Sequence, residues 1–315
     1  MSGALAAALA LTFCFKALLL LASGGLAWAS LAAIVSGFAN ASVLVYGGGL
    51  LAALLIEASV TGWQASSARR LLVAPSDSAR GDLFFVFLAL SGGAAAATTL
   101  LSAGLVDAVV AWSDAASARG PLSGQSAWLA APLLYFGMTF FNYWNHRLLH
   151  TRWLWPLHAV HHSAQDFTIC NAARVSPTEI GIVTLSQALP AALLGASADA
   201  ILIASLVASF EILWTHSRLP GLAWLERIGL SSPRAHVIHH AREARYHNRN
   251  FGDLVLLWDQ LFGTYLDSRQ ARGEIPLGVD GLGSGYDCRR PVRDYLQTHW
   301  AWMCSLRRLL RAPAG

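Results

Sequence analysis

The sequence has little charge, one lysine and no histidine in its first 145 residues, although the 315-residue chain contains 11 histidines. Asp, Glu, Lys and Arg together make up 13% of the residues, whereas hydrophobic residues make up 55% and the mean hydropathy is +0.47. So low a charge content argues against an ordinary soluble protein. Several long apolar runs instead predict membrane-spanning helices.

Other missing signals exclude further classes of protein. The four cysteines form no C-x-x-C pair, which disfavours a zinc finger or a thioredoxin-like site. No basic segment precedes the N-terminal apolar run, and Lys16 interrupts it, so we expect no cleavable signal and a first helix that stays in the membrane. The net charge is +4, but the basic residues flank apolar segments and no nucleic-acid motif occurs, so we expect no nucleic-acid partner.

The apolar stretches predict about six membrane-spanning helices. They lie at about residues 17–38, 43–60, 83–105, 128–144, 180–196 and 199–215. The last two form either a pair of spans or a re-entrant hairpin. The loop 61–82 contains three arginines, whereas the loop 106–126 contains one, so the positive-inside rule predicts that 61–82 is cytoplasmic and 106–126 lies outside. The fourth span then delivers the first histidines to the cytoplasmic face.

Ten of the 11 histidines lie between residues 146 and 247, and eight form three clusters. The clusters are His146 and His150; His158, His161 and His162; and His236, His239 and His240. Residues three and four apart share a helix face, and neutral imidazole is the commonest metal ligand. A structural zinc takes about four ligands, so eight imidazoles indicate two metals. No Asp or Glu lies between 146 and 162, unlike the Glu-x-x-His sites of soluble di-iron bundles.

Five further residues complete the candidate site. His216 ends the last apolar stretch and is the ninth expected ligand. His247, Asn250 and Asp259 are expected to be ligands or hydrogen-bond partners behind the ligands, because ligating imidazoles usually donate their second N–H to a carboxylate or a carbonyl. Glu211 lies five residues before His216, so it is a candidate to orient that ring.

Alternative interpretations of the clusters are a polar interfacial surface, a structural zinc site and a metal transporter. The threefold repetition of the helical spacing disfavours a mere polar surface. A transporter places its ligands near the middle of the membrane, whereas these histidines follow the ends of spans, beyond Trp144 and Trp214. His299 lies outside the clusters and is expected at the surface or at the membrane interface.

The motifs resemble those of the fatty acid hydroxylase/sterol desaturase superfamily of membrane di-iron oxygenases. The matching pieces are one H-x3-H box, two H-x2-H-H boxes, Asn250-Phe251-Gly252 and the stretch 258–265, which reads WDQLFGTY. The resemblance covers about 128–268. The first two boxes are nearly adjacent, which favours the hydroxylase branch over the acyl-CoA desaturases. Many relatives have R-x-H-P-x-E after the second box, whereas this chain has Ser176 at the histidine position.

The resemblance implies an all-α integral membrane protein with about six apolar helices and a cytoplasmic histidine-rich cap that holds a di-metal site. It divides the chain into an N-terminal transmembrane region (1–127), a catalytic domain (128–268) and a C-terminal cytoplasmic tail (269–315). An amphipathic helix at 292–310 would lie on the membrane surface or in the cytoplasm. The expected location is the bacterial inner membrane, with the active site facing the cytoplasm.

The resemblance also implies the activity, which is hydroxylation of a lipid C–H bond by O2 at two iron ions. A membrane lipid is then the substrate. The sequence contains no haem, flavin or iron–sulfur motif, so the electrons are expected from a separate electron-transfer protein. A lipid desaturase, or a carotenoid or sterol hydroxylase, on the same metal core remains an alternative.

Overall fold

A computed structural model describes residues 41–102, 105–117, 119–280 and 290–311. Within these ranges the chain is helical, and two isolated bridges are its only β-type pairings. The all-α prediction is therefore confirmed for the described residues. The helices are α1 (Ala41–Thr61), α2 (Ser67–Leu72), α3 (Asp77–Leu90), α4 (Gly93–Leu101), α5 (Leu105–Ser117), α6 (Ala127–Leu149), α7 (Trp155–His162), α8 (Pro177–Leu194), α9 (Ala198–Thr215), α10 (Ala223–Arg227), α11 (Pro233–His239), α12 (Leu257–Phe262) and α13 (Pro291–Arg311).

Helices α6, α8 and α9 form the centre of the helical bundle. Helices α8 and α9 are joined by a short turn that begins at Gly195, whose φ of 71° is the left-handed conformation that glycine adopts readily. Both helices pack against α6, and α8 also packs against α4 and α5. Their shared core is rich in alanine, including Ala130, Ala191, Ala200 and Ala204. Small side chains let the helices approach closely, so α6 is firmly held where it carries the first histidines.

The predicted spans correspond to helices with two exceptions. The span at 17–38 lies outside the described residues, and the spans at 43–60, 128–144, 180–196 and 199–215 fall on α1, α6, α8 and α9. The single span at 83–105 is wrong, because α3 ends at Leu90 and Gly92 turns the chain with a φ of 74° before α4. The predicted loop 106–126 is also partly wrong, since α5 occupies most of its first half.

The helices differ in how well they could cross a membrane. Among the described residues, one helix of 18 or more residues is apolar enough to do so, namely Ala198–Thr215, and Tyr46–Thr61 is a shorter apolar segment. Helix α6 is longer, but its last two turns carry Asn142, Asn145 and His146. The expectation of about six apolar spans therefore rests on the sequence pattern.

The segments after α6 and α9 fold into a cap over the ends of these helices. Helix α11 has two start signals in its sequence, because the Ser232 hydroxyl accepts a hydrogen bond from Ala235 N at 3.1 Å and Pro233 is the first helical residue. Helix α7 likewise has Pro156 in its first turn. Helix α13 occupies the region of the predicted amphipathic helix and packs against α7.

Candidate metal centre

The structure brings nine histidines into two adjacent groups. In each group every residue offers one ligand atom, and these atoms lie within 4.8 Å of one another. The five-histidine group consists of His146, His150, His158, His162 and His239. The four-histidine group consists of His161, His216, His236 and His240. Segments separated by up to 94 residues of sequence therefore meet at one place in the cap.

Each H-x2-H-H box divides its imidazoles between the two groups. In a helix, the residue four positions on lies about 40° from the first, whereas the residue three positions on lies about 60° away in the opposite direction. His158 and His162 accordingly join the five-histidine group while His161 joins the other. In the third box, His236 and His240 belong to the four-histidine group, whereas His239 belongs to the five-histidine group.

The Nδ1 atoms of five of these rings are held by fixed hydrogen-bond acceptors. The acceptors are Phe251 O for His146 (2.7 Å), Glu179 Oε1 for His158 (2.6 Å), Arg174 O for His161 (3.2 Å), Ile212 O for His216 (2.8 Å) and Arg249 O for His239 (2.8 Å). A backbone carbonyl can only accept a hydrogen bond, so the ring proton lies on Nδ1. Such a bond fixes the tautomer and leaves the Nε2 lone pair for a metal.

The Nε2 atoms converge at distances that suit a shared cation. His146 and His158 Nε2 are 3.0 Å apart in one group, and His161 and His216 Nε2 are 3.4 Å apart in the other. In the His161–His216 pair both Nδ1 atoms donate to backbone carbonyls, so the two Nε2 lone pairs face each other and cannot form a hydrogen bond. Imidazole–metal bonds of about 2.0–2.1 Å would separate two ligand nitrogens by about 2.9–3.4 Å. The residues present therefore fit a metal ion in each group.

Burial favours the neutral form of seven of these imidazoles. It lowers the pKa of His158, His161 and His162 well below the usual histidine value, and neighbouring imidazoles add to the effect. The same cause lowers the pKa of the three histidines of the third box, His236, His239 and His240. For His216, burial lowers the pKa to about 4. Neutral imidazole is the form that ligates a metal, so these seven residues need no deprotonation at pH 7.

Asp259 supports the site without touching an imidazole. Its carboxylate accepts hydrogen bonds from Phe251 N at 2.8 Å, Gly252 N at 2.7 Å and Thr264 Oγ1 at 2.6 Å. Asp259 therefore acts behind the ligands through the loop backbone, and the Phe251 carbonyl is the group that accepts from His146. Gly252 is required here, since a Cβ would lie 2.2 Å from Val255 O. Asp259 thus fixes the loop that holds His146.

Three other predicted residues lie apart from both groups. His247 is exposed, and its Nε2–H donates to Arg242 O at 3.0 Å, so the structure does not bring this predicted ligand to either group. Asn250 is buried and binds the backbone of Ala235 and Leu266, so it anchors the loop. Glu211 accepts a hydrogen bond from Tyr135 rather than from His216.

A buried ion pair that the motifs did not indicate supports the second box. The Arg174 guanidinium donates to Asp82 Oδ1 at 2.6 Å and to Ser163 Oγ at 3.0 Å, and the Arg174 carbonyl accepts from His161. Both charged side chains are almost fully buried. An aspartate at the edge of an apolar run was the available signal in the sequence. Asp82 lies far upstream of the boxes, so its partner could not be inferred.

Ser176, which occupies the histidine position of the R-x-H-P-x-E stretch, has a local structural role. Ser176 is the N-cap of α8, and its hydroxyl accepts a hydrogen bond from Glu179 N at 3.2 Å. Pro177 then occupies the first helical position, as in other well-capped helices. The residue at the histidine position therefore sets the start of the helix that carries Glu179, which in turn holds His158.

Two cavities reach the histidines. The larger, of about 390 Å³, lies between α6, α8 and α9 and is lined by His146, His158, His161 and His216 from both groups. The second, of about 370 Å³, approaches the five-histidine group from the other side and is lined by His150, His162 and His239, with Arg152 and Arg242 at its walls. The site is therefore accessible to small molecules, unlike a closed structural metal site.

An all-helical framework with two converging groups of buried imidazoles defines a protein whose histidine cluster can hold metal. Residues 131–264 match the fatty acid hydroxylase family, and all nine clustered histidines lie within them. The resemblance inferred from the motifs is thus confirmed over residues 131–264, which are similar to the fatty acid hydroxylase family. No solved structure matches the chain at a significant level.

Characterised relatives are lipid-modifying enzymes. The chain is 29% identical over 150 residues to alkylglycerol monooxygenase of Homo sapiens. This alignment covers 46% of this chain and 32% of that protein. It is 33% identical over 143 residues to alkylglycerol monooxygenase of Danio rerio, covering 44% and 30%. It is 32% identical over 124 residues to ornithine lipid hydroxylase OlsE of Rhizobium tropici, covering 39% and 38%. The aligned region spans about a third of each relative's length, and these matches support an oxygen-dependent oxidoreductase.

The buried ion pair generates the first testable prediction. Asp82→Ala leaves the Arg174 guanidinium buried without its carboxylate, which typically costs about 3–5 kcal/mol. We expect a large fall in the thermal unfolding temperature of the detergent-purified protein. Asp77→Ala, on the same helix, removes a carboxylate from an exposed pair with Arg80 and should cost less than about 1 kcal/mol. Equal unfolding temperatures for the two variants would contradict the assignment.

Proposed function

We propose that the protein is a membrane-bound di-iron oxygenase that hydroxylates a lipid C–H bond with O2. The observation that carries the proposal is the pair of imidazole groups, each with converging Nε2 atoms, beside a cavity lined by histidines from both. In the overall reaction one oxygen atom enters the product and the other leaves as water. Two electrons and two protons come from outside the chain.

The five-histidine and four-histidine groups would each hold one iron ion. Iron bound there supplies the redox chemistry that activates O2. The neutral imidazole ligands contribute no negative charge. The side chain of Glu179 is hydrogen-bonded to Nδ1 of His158, on the side of the ring away from the metal position. The fixed Nδ1 acceptors hold the rings in place, so that little reorganisation is needed when a metal and a substrate are bound.

The larger cavity would hold the part of the lipid that reacts. Its walls include Met138 on α6, Ile180 and Val183 on α8 and Ile212 on α9. Apolar side chains of this kind bind hydrocarbon and exclude water from the reacting groups. The names of the relatives, an alkylglycerol monooxygenase and an ornithine lipid hydroxylase, support a lipid substrate.

A membrane location is part of the proposal. Large apolar side chains are exposed on three of the long helices, including Leu55 on α1 (61% exposed), Trp128 on α6 (81%) and Phe210 on α9 (64%). Exposed apolar surface of this extent suits contact with lipid rather than with water. With the arginine-rich loops inside, the histidine cap faces the cytoplasm of a bacterial inner membrane. A separate electron-transfer protein on that side would supply the electrons.

The metal content is a direct consequence. We expect about two iron atoms per chain after anaerobic reconstitution, measured by elemental analysis of the detergent-purified protein. His161→Ala should lower the content to about one, because it removes a ligand from the four-histidine group alone. His247→Ala, which lies outside both groups, should retain about two. One iron or fewer in the unmodified protein would contradict the di-iron proposal.

Lipid oxidation by histidine variants tests whether the imidazole groups take part in the reaction. His161→Ala and His239→Ala each remove one imidazole, and Ala offers no donor atom in its place. Loss of groups behind the ligands typically costs 10- to 100-fold, so we expect lipid oxidation to fall by more than about 100-fold. His299→Ala should stay active, because His299 lies outside both groups and contacts Thr178 at 2.7 Å. The measurement is lipid mass spectrometry of cells grown under 18O2.

The labelled products distinguish the alternatives. One 18O atom in a lipid product supports hydroxylation. A product that lacks two hydrogens and carries no label would move the assignment to a desaturase. Full activity in both histidine variants would remove the metal centre from the reaction.

The topology is tested by reporter fusions at Pro75, Ala115 and Gln270. The arginine-rich loop and the cap should lie on one side, so positions 75 and 270 should give a cytoplasmic signal and position 115 a periplasmic one. A periplasmic signal at 75 or at 270 would overturn the orientation. Because the reporters read location alone, the result is independent of metal loading.

A further inference from the structure

Helix α13 exposes a stripe of large apolar side chains. Leu296 is 60% exposed and Trp300 is 66% exposed, and the complete stripe consists of Val292, Leu296, Trp300 and Met303. Because an α-helix turns about 100° per residue, these four positions lie within a sector of about 80°. An amphipathic helix of a soluble protein turns its apolar stripe towards the core, whereas this stripe faces away from it.

The protein-facing side of α13 is held by polar contacts. Asp294 and Thr298 are buried there, on the side of the helix opposite the stripe. His299 is half-buried beside them, where its Nδ1–H donates to Tyr295 O at 2.9 Å and its Nε2 accepts from the Thr178 hydroxyl at 2.7 Å. These contacts fix the rotation of the helix, so the fold itself turns the apolar stripe outward.

The neighbours of α13 lie at the same ends of the proposed spans. The helix packs against α7, which follows the histidine end of α6, and Thr178 is the second residue of α8. Under the proposed topology both of these ends lie at the cytoplasmic surface of the membrane. Helix α13 therefore occupies the level at which lipid headgroups meet the cytoplasm.

An apolar furrow connects the stripe to a third helix at this level. The furrow lies between α13 and α3 and is lined by Phe84, Pro291, Val292 and Leu296, with Arg290 and Arg293 beside them. Phe84 follows Asp82 by two residues, where the polar first half of α3 gives way to its apolar second half. The apolar surface of α13 is thus continuous with the part of α3 that the hydropathy pattern predicts beside lipid.

The charge of α13 suits an anionic surface. The helix contains four arginines and one aspartate, which give it a net charge of +3 with histidine neutral. The aspartate, Asp294, is buried on the protein-facing side. A helix that combines an exposed apolar stripe with basic residues binds anionic headgroups while the stripe enters the acyl region.

We propose that α13 lies on the cytoplasmic surface of an anionic bilayer, with its stripe among the lipid chains just below the headgroups, and that it holds the histidine cap against the membrane. The hold on the cap follows from two connections. Helix α7 carries the second histidine box, and Thr178 precedes Glu179, whose side chain is hydrogen-bonded to His158. This inference rests on the membrane location in the proposed function, and its tests require neither iron nor activity.

Fluorescence quenching in proteoliposomes tests where the stripe lies. Single cysteines replace Leu296, Trp300 and Gln297 in turn, in a full-length background whose four native cysteines are replaced by alanine. Each cysteine carries an environment-sensitive fluorophore, and two quenchers are compared, namely nitroxide groups in the lipid acyl chains and iodide in the water. Gln297 is an exposed polar residue beside the stripe, so Gln297→Cys is the matched control.

The two quenchers should act in opposite orders on these labels. We expect the nitroxide to quench Leu296→Cys and Trp300→Cys at least about threefold more than Gln297→Cys, because only the stripe enters the acyl region. Iodide should quench Gln297→Cys most. Stronger quenching of the stripe labels by iodide would overturn the inference. Protection of those labels from both quenchers would show that protein, such as a second copy of the chain, covers the stripe, which would equally overturn it.

A label on α9 separates this inference from the proposed function. Phe210 is exposed on a proposed span, so Phe210→Cys should be quenched by the nitroxide. If this label is not quenched by the nitroxide, the membrane location in the proposed function fails, and the inference fails with it. If it is quenched while the stripe labels are not, the inference alone fails and the oxygenase proposal is unaffected.

The charge of the headgroups is tested with the same labels. Vesicles of phosphatidylcholine are compared with vesicles that also contain phosphatidylglycerol. At low salt, nitroxide quenching of Trp300→Cys should be at least about twofold stronger in the anionic vesicles, and added salt should remove the difference because it screens exposed charges. Equal quenching in the two kinds of vesicle at low salt would overturn the assignment of an anionic surface.

Hydrogen–deuterium exchange tests whether α13 holds the cap, and it leaves the native cysteines in place. Trp300→Glu puts a charge into the stripe, where contact with lipid chains makes a charge costly, whereas Gln297→Glu adds the same charge beside it. In the anionic vesicles we expect backbone exchange of α7 to rise at least about fivefold in Trp300→Glu and to stay unchanged in Gln297→Glu. Unchanged exchange in both variants would overturn the coupling of α13 to the histidine cap.

Discussion

The site depends on one type of hydrogen bond, in which a ring Nδ1–H is donated to an acceptor that the fold holds in place. Four of the five acceptors are backbone carbonyls, so their positions are set by the conformation of the chain. Once Nδ1 carries the proton and is bound to a fixed acceptor, the orientation of the ring sets the direction of its Nε2 lone pair. Their convergence at 3.4 Å between His161 and His216, whose Nδ1 atoms both donate to carbonyls, is unfavourable without a cation.

Each acceptor is in turn fixed by a separate part of the protein. Asp259 holds the loop that presents Phe251 O, and the buried Asp82–Arg174 pair holds the segment that presents Arg174 O. Asp82 lies on α3, outside the region that matches the fatty acid hydroxylase family. Helix α3 therefore belongs to the support of the histidine groups.

Helical spacing, a local property, was sufficient to identify eight of the nine clustered histidines, and the ninth, His216, was inferred from its place at the end of an apolar stretch. The starts of α7 and α11 are likewise local, because each has a proline in its first turn. The division of each box between two groups, and the carbonyl partners of Nδ1, depend on how distant segments pack and could not be predicted. His247 follows the third box by seven residues, but its segment turns away towards Arg242. The hydropathy pattern likewise predicted one span at 83–105, where α3 and α4 are separate helices, because the turn at Gly92 does not interrupt the apolar sequence.

The central claim is that two metal ions are held by two separate sets of imidazoles. Anomalous X-ray diffraction at the iron edge, from crystals of the iron-loaded protein, tests it most directly. We predict two iron peaks per chain, one within bonding distance of the five-histidine group and one within bonding distance of the four-histidine group. A single peak, or a peak ligated by histidines from neither group, would contradict the account.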